Sequence, residues 1–293
     1  AMTMAGSRID YIPADQFNHS VTVVKKADGK FHLLDPTWVP FVRELWSSAE
    51  HQQQYLMGLP DGADLATTPI SPPENHFYRI NGNSQIDDNG NLKGQFVLVA
   101  EGQSDARIRR MFTGRPKINW EQFVEEEMLK LHPDMQIQKI SYDDAYDYSN
   151  PIELKIEYLI PDFALLTKDE VVFTPLVAGN LFNHNYINEH LFMDVSKEEK
   201  KYNFRSRSSK LIELREIVKL PKYKKSLFVP ETVEFIGSGA DFSAGYEIKG
   251  RNLSFFETGK FKMRIYEPTD WPSFRKAVKT QKQFAEDKVI LKR

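Results

Sequence analysis

Two residues near the start of the chain, His19 and Asp35, have the types and spacing of a proton-transfer pair. Residues 17–24 and 31–35 are rich in β-branched and apolar side chains, which predicts two strands of a hairpin. The polar segment between them contains Gly29, a residue suited to a turn. An imidazole beside a carboxylate is the base and the orienting acid of a catalytic triad, and only a nucleophile is missing.

The separation of His19 and Asp35 in the sequence fits a hairpin register in which the two residues lie opposite each other. If His19 lies opposite Asp35, Val24 faces Lys30 and residues 25–29 form the turn. Directly opposite Cβ atoms lie about 4.5–5.5 Å apart, close enough for an imidazole–carboxylate hydrogen bond. One apolar face of the hairpin would then end in the His–Asp pair; its other members are Val21, Val23, Phe31 and Leu33.

The composition limits the chemistry. The 293 residues contain no cysteine, which excludes a thiol nucleophile, a disulfide and a zinc–thiolate site within this sequence. The formal net charge of -2 gives no general electrostatic reason to expect nucleic acid as a partner. With 41% hydrophobic and 27% charged residues the chain is typical of a globular protein, and no apolar run is long enough for a membrane span.

The hairpin carries a family resemblance. Phe-Asn-His-Ser-Val at 17–21 and Leu-Asp-Pro-Thr at 34–37 resemble the second half of the bacterial transglutaminase-like core. That superfamily is papain-like and uses a Cys–His–Asp triad, with the cysteine at a helix N-terminus and the other two on successive strands. The resemblance implies that His19 acts as base and then acid, and that Asp35 orients its ring.

The same resemblance implies what is missing. Nothing in the sequence matches the nucleophile, its helix or the first half of that core, so we expect the chain to be the C-terminal part of a longer protein. The resemblance also implies a protein or peptide substrate for the full-length protein and export or a periplasmic location. We expect the half-core to leave its apolar face exposed, with self-association through residues 1–40 or disorder there.

The rest of the chain predicts a strand-rich domain. Residues 42–58 read as a short helix and a turn, in which His51 and the glutamines at 52–54 would form a solvated face. Helices are predicted at 104–112, starting at Ser104, and at 119–131 and 269–286. Strands are predicted at 77–86, 92–100, 136–142, 152–160, 171–175, 211–220, 232–237, 241–249, 252–258 and 261–266.

These elements predict an α+β, β-rich fold, and the resemblance implies that residues 1–74 are a partial transglutaminase-like core consisting of a hairpin and a helix. A β-sandwich-like accessory domain with packed helices would follow over 75–293, because a proline- and glycine-rich stretch precedes residue 75. That part loosely resembles the domain of unknown function that follows the core in large bacterial members of the family.

Two further patterns could form binding sites. His184 and His190, with Glu189, could bind a metal, but their spacing fits neither a helix face nor a familiar zinc motif, so loop histidines are favoured. Lysines at 219–225 favour a solvated edge strand over a surface for an anionic partner. We therefore predict no metal and no cofactor.

Two functions remain open. The chain is either part of an enzyme for amide acyl transfer or peptide hydrolysis, inactive by itself, or a non-catalytic binding or structural module with a vestigial half-core. The coding sequence before Met2 would distinguish them, since an in-frame cysteine on a helix there favours the enzyme.

Overall fold

A computed structural model describes residues 1–3, 16–35, 37, 44–179 and 187–293. In this part of the chain the strands are, in order, β1 (Thr22–Lys25), β2 (Phe31–Leu34), β3 (Gln54–Tyr55), β4 (Ala66–Thr67), β5 (Phe77–Ile86), β6 (Leu92–Ala100), β7 (Gln136–Tyr142), β8 (Ile152–Ile160), β9 (Leu165–Leu166), β10 (Glu170–Phe173), β11 (Phe204–Arg205), β12 (Lys210–Lys219), β13 (Lys225–Phe228), β14 (Val233–Phe235), β15 (Ala240–Lys249), β16 (Asn252–Phe261), β17 (Ile265–Tyr266) and β18 (Val289–Lys292). The helices are α1 (Gln103–Thr113), α2 (Trp120–Leu131), α3 (Glu189–Phe192) and α4 (Trp271–Glu286).

One eight-stranded mixed sheet dominates the fold, in the order β14-β15-β16-β12-β5-β6-β8-β7. All neighbours are antiparallel except β12 and β5, which pair in parallel at the centre. Alternate residues of these strands are buried and exposed, so one face packs on the core and the other faces water. The α+β, strand-rich class predicted from the sequence is confirmed.

The core lies on the buried face of this sheet, between the strands, helices α1, α2 and α4, and a four-stranded sheet in the order β13-β18-β10-β9. Aromatic side chains supply much of its volume. The largest apolar side chains that are fully buried there are Trp120, Trp271, Tyr78, Tyr158, Tyr266, Phe96, Phe112, Phe255, Phe261 and Phe274. Among the described residues, no helix is long and apolar enough to cross a membrane.

Helix α1 begins differently from the prediction. Gly102, not Ser104, is the N-cap residue of the helix. Because glycine has no side chain, it cannot accept a hydrogen bond from the first turn. Instead the Nδ1 atom of His76 accepts the backbone N–H of Gln103 at 3.1 Å. Ser104 is occupied otherwise, because its hydroxyl donates to the His76 carbonyl oxygen and accepts from Lys210. A distant histidine therefore satisfies a helix N-terminus that the local sequence leaves open.

The segment 44–76 differs most from its predicted form. A 3-10 helix over Ser48–Glu50 replaces the predicted helix among the described residues of that segment, and residues 42 and 43 lie outside them. Two hydrogen bonds join this segment to later parts of the chain: Ser48 Oγ donates to Gln103 Oε1 at 2.9 Å, and Ser209 Oγ donates to the Ser71 carbonyl at 2.6 Å. These contacts attach the predicted half-core to the end of the eight-stranded sheet.

Gly102 has a positive φ of 60°, and a Cβ there would collide with the Asn75 carbonyl and the His76 ring. We expect Gly102→Ala to destabilise the fold by more than about 3 kcal/mol, since collision adds to backbone strain. Gly250→Ala is a matched control, because Gly250 has the same φ of 60° and an added Cβ there would meet no atom within 4 Å. Its expected cost is about 1 kcal/mol. Equal midpoints in urea unfolding for the two variants would contradict the collision.

Candidate functional site

The predicted pair is brought together at the end of the hairpin. His19 Nε2 lies 3.1 Å from Asp35 Oδ2. His19 is positioned by its backbone, which exchanges hydrogen bonds of 2.9 and 3.2 Å with Met2. Asp35 follows β2, and its backbone N–H donates to the Leu45 carbonyl at 2.7 Å. The backbone N–H of Thr37 donates to Asp35 Oδ1 at 2.9 Å, so both carboxylate oxygens accept a hydrogen bond.

The register of the hairpin differs from the prediction by two residues. Val24 pairs with His32 and not with Lys30, so the turn covers residues 26–30. A two-residue shift preserves which side chains share a face, because the period of a strand is two residues. His19 and Asp35 are therefore diagonal and not directly opposite, and the long imidazole side chain still reaches the carboxylate.

Glu50 is a third member of this site, and the sequence alone did not reveal it. Its Oε1 lies 3.4 Å from His19 Nε2, and its side chain is fully buried. The 3-10 helix positions it through a capping box, in which Ser47 Oγ accepts from the Ala49 N–H and Glu50 Oε2 accepts from the Ser47 N–H, each at 3.2 Å. A signal was present, since Ser47-Ser48-Ala49-Glu50 matches the capping-box pattern Ser-x-x-Glu.

The two carboxyl groups of the site have opposite protonation preferences. Burial, followed by the neighbouring Asp35, raises the pKa of Glu50 to about 9. Burial acts to raise the pKa of Asp35 too, but hydrogen bonds with Glu50, Thr37 and His19 outweigh it and lower that pKa to about 2. At neutral pH Asp35 is therefore charged, and a protonated Glu50 donates to it. Asp35 is the anion that faces the His19 ring.

A second buried polar cluster lies beside the first, and it corrects the prediction of a solvated helix face. His51 is fully buried, its ring centroid lies 4.3 Å from that of Trp46, and Gln53 is also buried. Gln52 bridges to the strand β17 region: its side-chain oxygen accepts the backbone N–H groups of Arg264 and Ile265 at 2.8 and 2.9 Å. The prediction was wrong because it treated these polar residues as a surface, whereas Gln52 and the His51 carbonyl bond to residues 264 and 265, more than 200 residues away.

The second cluster centres on Glu44, whose Oε2 lies 3.5 Å from His76 Nε2 and 3.7 Å from His51 Nε2. Its Oε1 accepts hydrogen bonds from Ser71 Oγ and Asn75 Nδ2. Burial raises the pKa of Glu44. Burial, more than the neighbouring charges, lowers the pKa of His51 to about 2 and that of His76 to about 3, so both rings are neutral.

Both clusters offer three possible metal ligands within 4.8 Å of one another. In the second cluster the hydrogen bonding opposes a metal. His76 Nδ1 accepts the Gln103 N–H, so its proton is on Nε2, the atom that faces Glu44. A nitrogen that carries a proton cannot coordinate a metal. In the first cluster a hydrogen bond joins the carboxyl groups of Asp35 and Glu50.

The histidines considered for a metal elsewhere are not assembled into a site by the described residues. His184 lies outside the part of the chain that the structure describes. His190 is buried, and its Nε2 lies 3.1 Å from the Ser208 carbonyl. Glu189 forms an ion pair with Arg207, with 3.0 Å between Oε2 and Nε. His190 and Glu189 therefore have structural partners.

Comparison with known proteins gives little beyond this geometry. No family model and no curated protein matches the chain. A matching solved structure is a crystal structure from Parabacteroides distasonis described as a "putative protease", with a TM-score of 0.36 and 8% sequence identity. The match covers 43% of this chain and 24% of that chain. At these values the likeness carries no argument, and the resemblance to the transglutaminase-like core rests on the residues quoted above.

The raised pKa of Glu50 implies that the free energy of unfolding depends on pH. The folded state keeps a proton that the unfolded state releases above the ordinary value of 4.5, so stability present below pH 4.5 is lost as the pH rises toward about 9. Glutamine resembles a protonated glutamate but does not titrate, so the substitution removes the pH dependence of stability that Glu50 causes. We expect Glu50→Gln to gain stability over the native chain from about pH 5 to pH 8, by up to about 1.4 kcal/mol per pH unit.

Urea unfolding at several pH values measures this difference. Glu121→Gln is the control, because Glu121 is exposed on α2 and should leave the pH dependence unchanged. If Glu50→Gln were less stable than the native chain by the same amount at pH 5 and pH 8, Glu50 would not carry the proton.

Proposed function

We propose that this chain supplies the histidine and the aspartate of a site for amide acyl transfer or peptide hydrolysis, in which a cysteine outside the printed sequence is the nucleophile. The observation that carries the proposal is the 3.1 Å hydrogen bond between His19 Nε2 and the Oδ2 atom of Asp35. A carboxylate on one ring nitrogen fixes the orientation of the imidazole and leaves Nδ1 as the atom for proton transfer.

The chemistry divides between the residues as follows. His19 takes the proton of the cysteine thiol, and the thiolate attacks the carbonyl carbon of an amide. His19 then returns that proton to the departing amine, which leaves a thioester. A second amine or a water molecule releases the acyl group and restores the thiol. Asp35 stays charged throughout and stabilises the imidazolium, and the protonated Glu50 helps it to remain an anion.

The absence of cysteine defines what this chain can do alone. No side chain in the printed sequence can form the thioester, so the chain by itself is expected to be inactive in this reaction. In the proposal, residues 1–74 are the second half of the catalytic core and residues 75–293 are an accessory domain. The hydrogen bond that Ser48 donates to Gln103 and the one that the Ser71 carbonyl accepts from Ser209 would fix the half-core on the accessory domain.

The lack of cysteine also favours a second function of a different class, a non-catalytic binding or structural module. In that function the His19–Asp35 hydrogen bond is a structural contact that satisfies a buried carboxylate. The two functions differ in what precedes Met2 in the gene product.

The test uses the natural gene product that contains this sequence. We expect an iodoacetamide-based probe to label a cysteine outside residues 1–293, and we expect hydrolysis of a fluorogenic peptide amide or incorporation of an amine. His19→Gln should lower kcat by about 1,000-fold or more, because the base and acid are lost. His32→Gln is the matched control, since His32 is on the same hairpin, is exposed and lies on its other face.

Two results would decide against the enzyme. A gene product without any cysteine overturns the proposal and leaves the binding module. A labelled cysteine whose reactivity and turnover are the same in native protein and in His19→Gln would show that His19 is not its general base.

Asp35→Asn should reduce kcat with little change in KM, because Asp35 orients the His19 ring and does not bind the substrate.

The exposed face of the hairpin makes a separate prediction. Phe31 is 44% exposed, and Val21, Val23 and Leu33 are only partly buried. We expect this face to support self-association of the chain, visible as a concentration-dependent mass in light scattering. Phe31→Ser should shift the equilibrium toward the monomer. Ile118→Ser, which also replaces an exposed apolar side chain with serine but lies outside the hairpin, should not. A monomer at all concentrations would contradict the prediction.

A further inference from the structure

An arginine-lined cavity lies on the other side of the 3-10 helix from His19. It has a volume of about 560 Å³. Its walls come from that 3-10 helix, from α1, from β11 and the residues just after it, and from the loop before β17. Five arginines and a single acidic residue, Glu189, line it; the arginines are Arg107, Arg110, Arg205, Arg207 and Arg264. We call this the arginine cavity.

The charges of the arginine cavity are not balanced by its own residues. Glu189 is engaged with Arg207, through an ion pair of 3.0 Å and a hydrogen bond to the backbone N–H of the same residue. Arg110 and Arg205 are exposed and form no ion pair with any residue that the structure describes. A cavity whose only carboxylate is already paired keeps a strongly positive potential, which attracts anions.

Arg264 is a buried cation in the wall of the arginine cavity. Its side chain is only 5% exposed, and its Nη1 donates to the His51 carbonyl at 3.1 Å. Its Nε has no hydrogen-bond partner among the described residues. A buried donor without an acceptor is unfavourable by about 1–3 kcal/mol, and more for a charged group. Burial, and then the positive charge of Arg205, lowers the pKa of Arg264 to about 10, which agrees with a site crowded with cations.

We propose that the arginine cavity binds a small molecule that carries a multiply charged oxyanion, with phosphate or carboxylate oxygens accepting from Arg110, Arg205 and Arg264. Guanidinium groups present planar pairs of N–H donors that match the oxygens of phosphate and carboxylate. An anion in the cavity would offset the repulsion between the positive charges of Arg205 and Arg264. A free oxyanion or one attached to a larger organic molecule would supply the same oxygens.

The shape of the site favours a small molecule over an acidic protein surface. A volume of about 560 Å³ is in the range of small-molecule sites, about 300–1,000 Å³. The Arg264 side chain is almost fully buried at the cavity, where a flat partner surface cannot reach it. The site is separate from the His19–Asp35 pair and requires no nucleophile, so its occupation does not depend on the function proposed above.

Sodium pyrophosphate and sodium citrate are the probes, one for phosphate oxygens and one for carboxylate oxygens, and both are titrated into the chain by calorimetry at fixed ionic strength. We expect saturable binding of at least one probe and a rise in Tm that follows its concentration, because a ligand that binds only the folded state stabilises it. The double variant Arg110→Gln/Arg205→Gln should weaken binding about tenfold or more, since it removes two charged hydrogen-bond donors. Without a ligand it should unfold no earlier than the native chain, because it relieves repulsion.

Arg215→Gln/Lys219→Gln is the matched control. It removes two positive charges, as the test variant does, from the solvent-exposed face of β12, outside the arginine cavity, and should bind both probes as the native chain does. Binding of pyrophosphate alone would identify a phosphate ligand, and binding of citrate alone would identify a carboxylate ligand. Binding of neither probe overturns the proposal. Binding that Arg110→Gln/Arg205→Gln and Arg215→Gln/Lys219→Gln reduce equally would also overturn it, because it would reflect net charge and not this site.

Discussion

The candidate site depends on one constraint, the burial of the Asp35 charge. Asp35 is 1% exposed, and a carboxylate removed from water must be supplied with donors. Three groups supply them: the Thr37 backbone N–H, the His19 ring and the protonated carboxyl of Glu50. Each comes from a different segment, so the hairpin, the chain just after it and the 3-10 helix have to meet at this carboxylate. The geometry of the His–Asp pair is a consequence of that requirement.

The same rule explains the polar residues on the inner face of the large sheet. Glu216 on β12 accepts from Ser84 Oγ at 2.6 Å and from the Val177 N–H at 2.9 Å, and burial raises its pKa. Lys210 at the start of the same strand donates to Ser104 Oγ at 2.6 Å, and burial lowers its pKa to about 8. Each buried ionisable group fixes the position of a neighbouring element: a hairpin strand, the 3-10 helix at 177–179, or helix α1.

The sequence predicted the elements whose signals are local. The helices near 104–112, 119–131 and 269–286 and the strands of the large sheet follow from periodicity and turn residues, and they lie within a few residues of their observed bounds. It could not fix the hairpin register, because turns of residues 25–29 and 26–30 have the same length, contain Gly29 and place the same side chains on each face. The predicted contact survived the shift because an imidazole can reach a diagonal neighbour.

Residues 44–76 could not be predicted, because their conformation is determined by distant partners. Gln52 has a positive φ of 56°, which is unfavourable for a residue with a side chain. The hydrogen bonds that its side-chain oxygen accepts from the backbone N–H groups of residues 264 and 265 stabilise this conformation. His51 and Gln53 look like surface residues in a polar run, yet both are buried. Glu50 alone had a local signal, the capping box, but that pattern predicts a helix start and not a carboxyl group beside His19.

The 3-10 helix over Ser48–Glu50 separates two environments of opposite charge. Glu50 contributes to the site around the Asp35 anion, whereas Ser47, Ser48 and Ala49 line the arginine cavity. The side chains that these three residues present to the cavity carry no charge, so they add nothing that would neutralise the arginines. Protonation of Glu50 limits the negative charge on the other side to Asp35. Because one short element carries both sets of contacts, the anion of the first site and the cations of the second occupy fixed positions relative to each other.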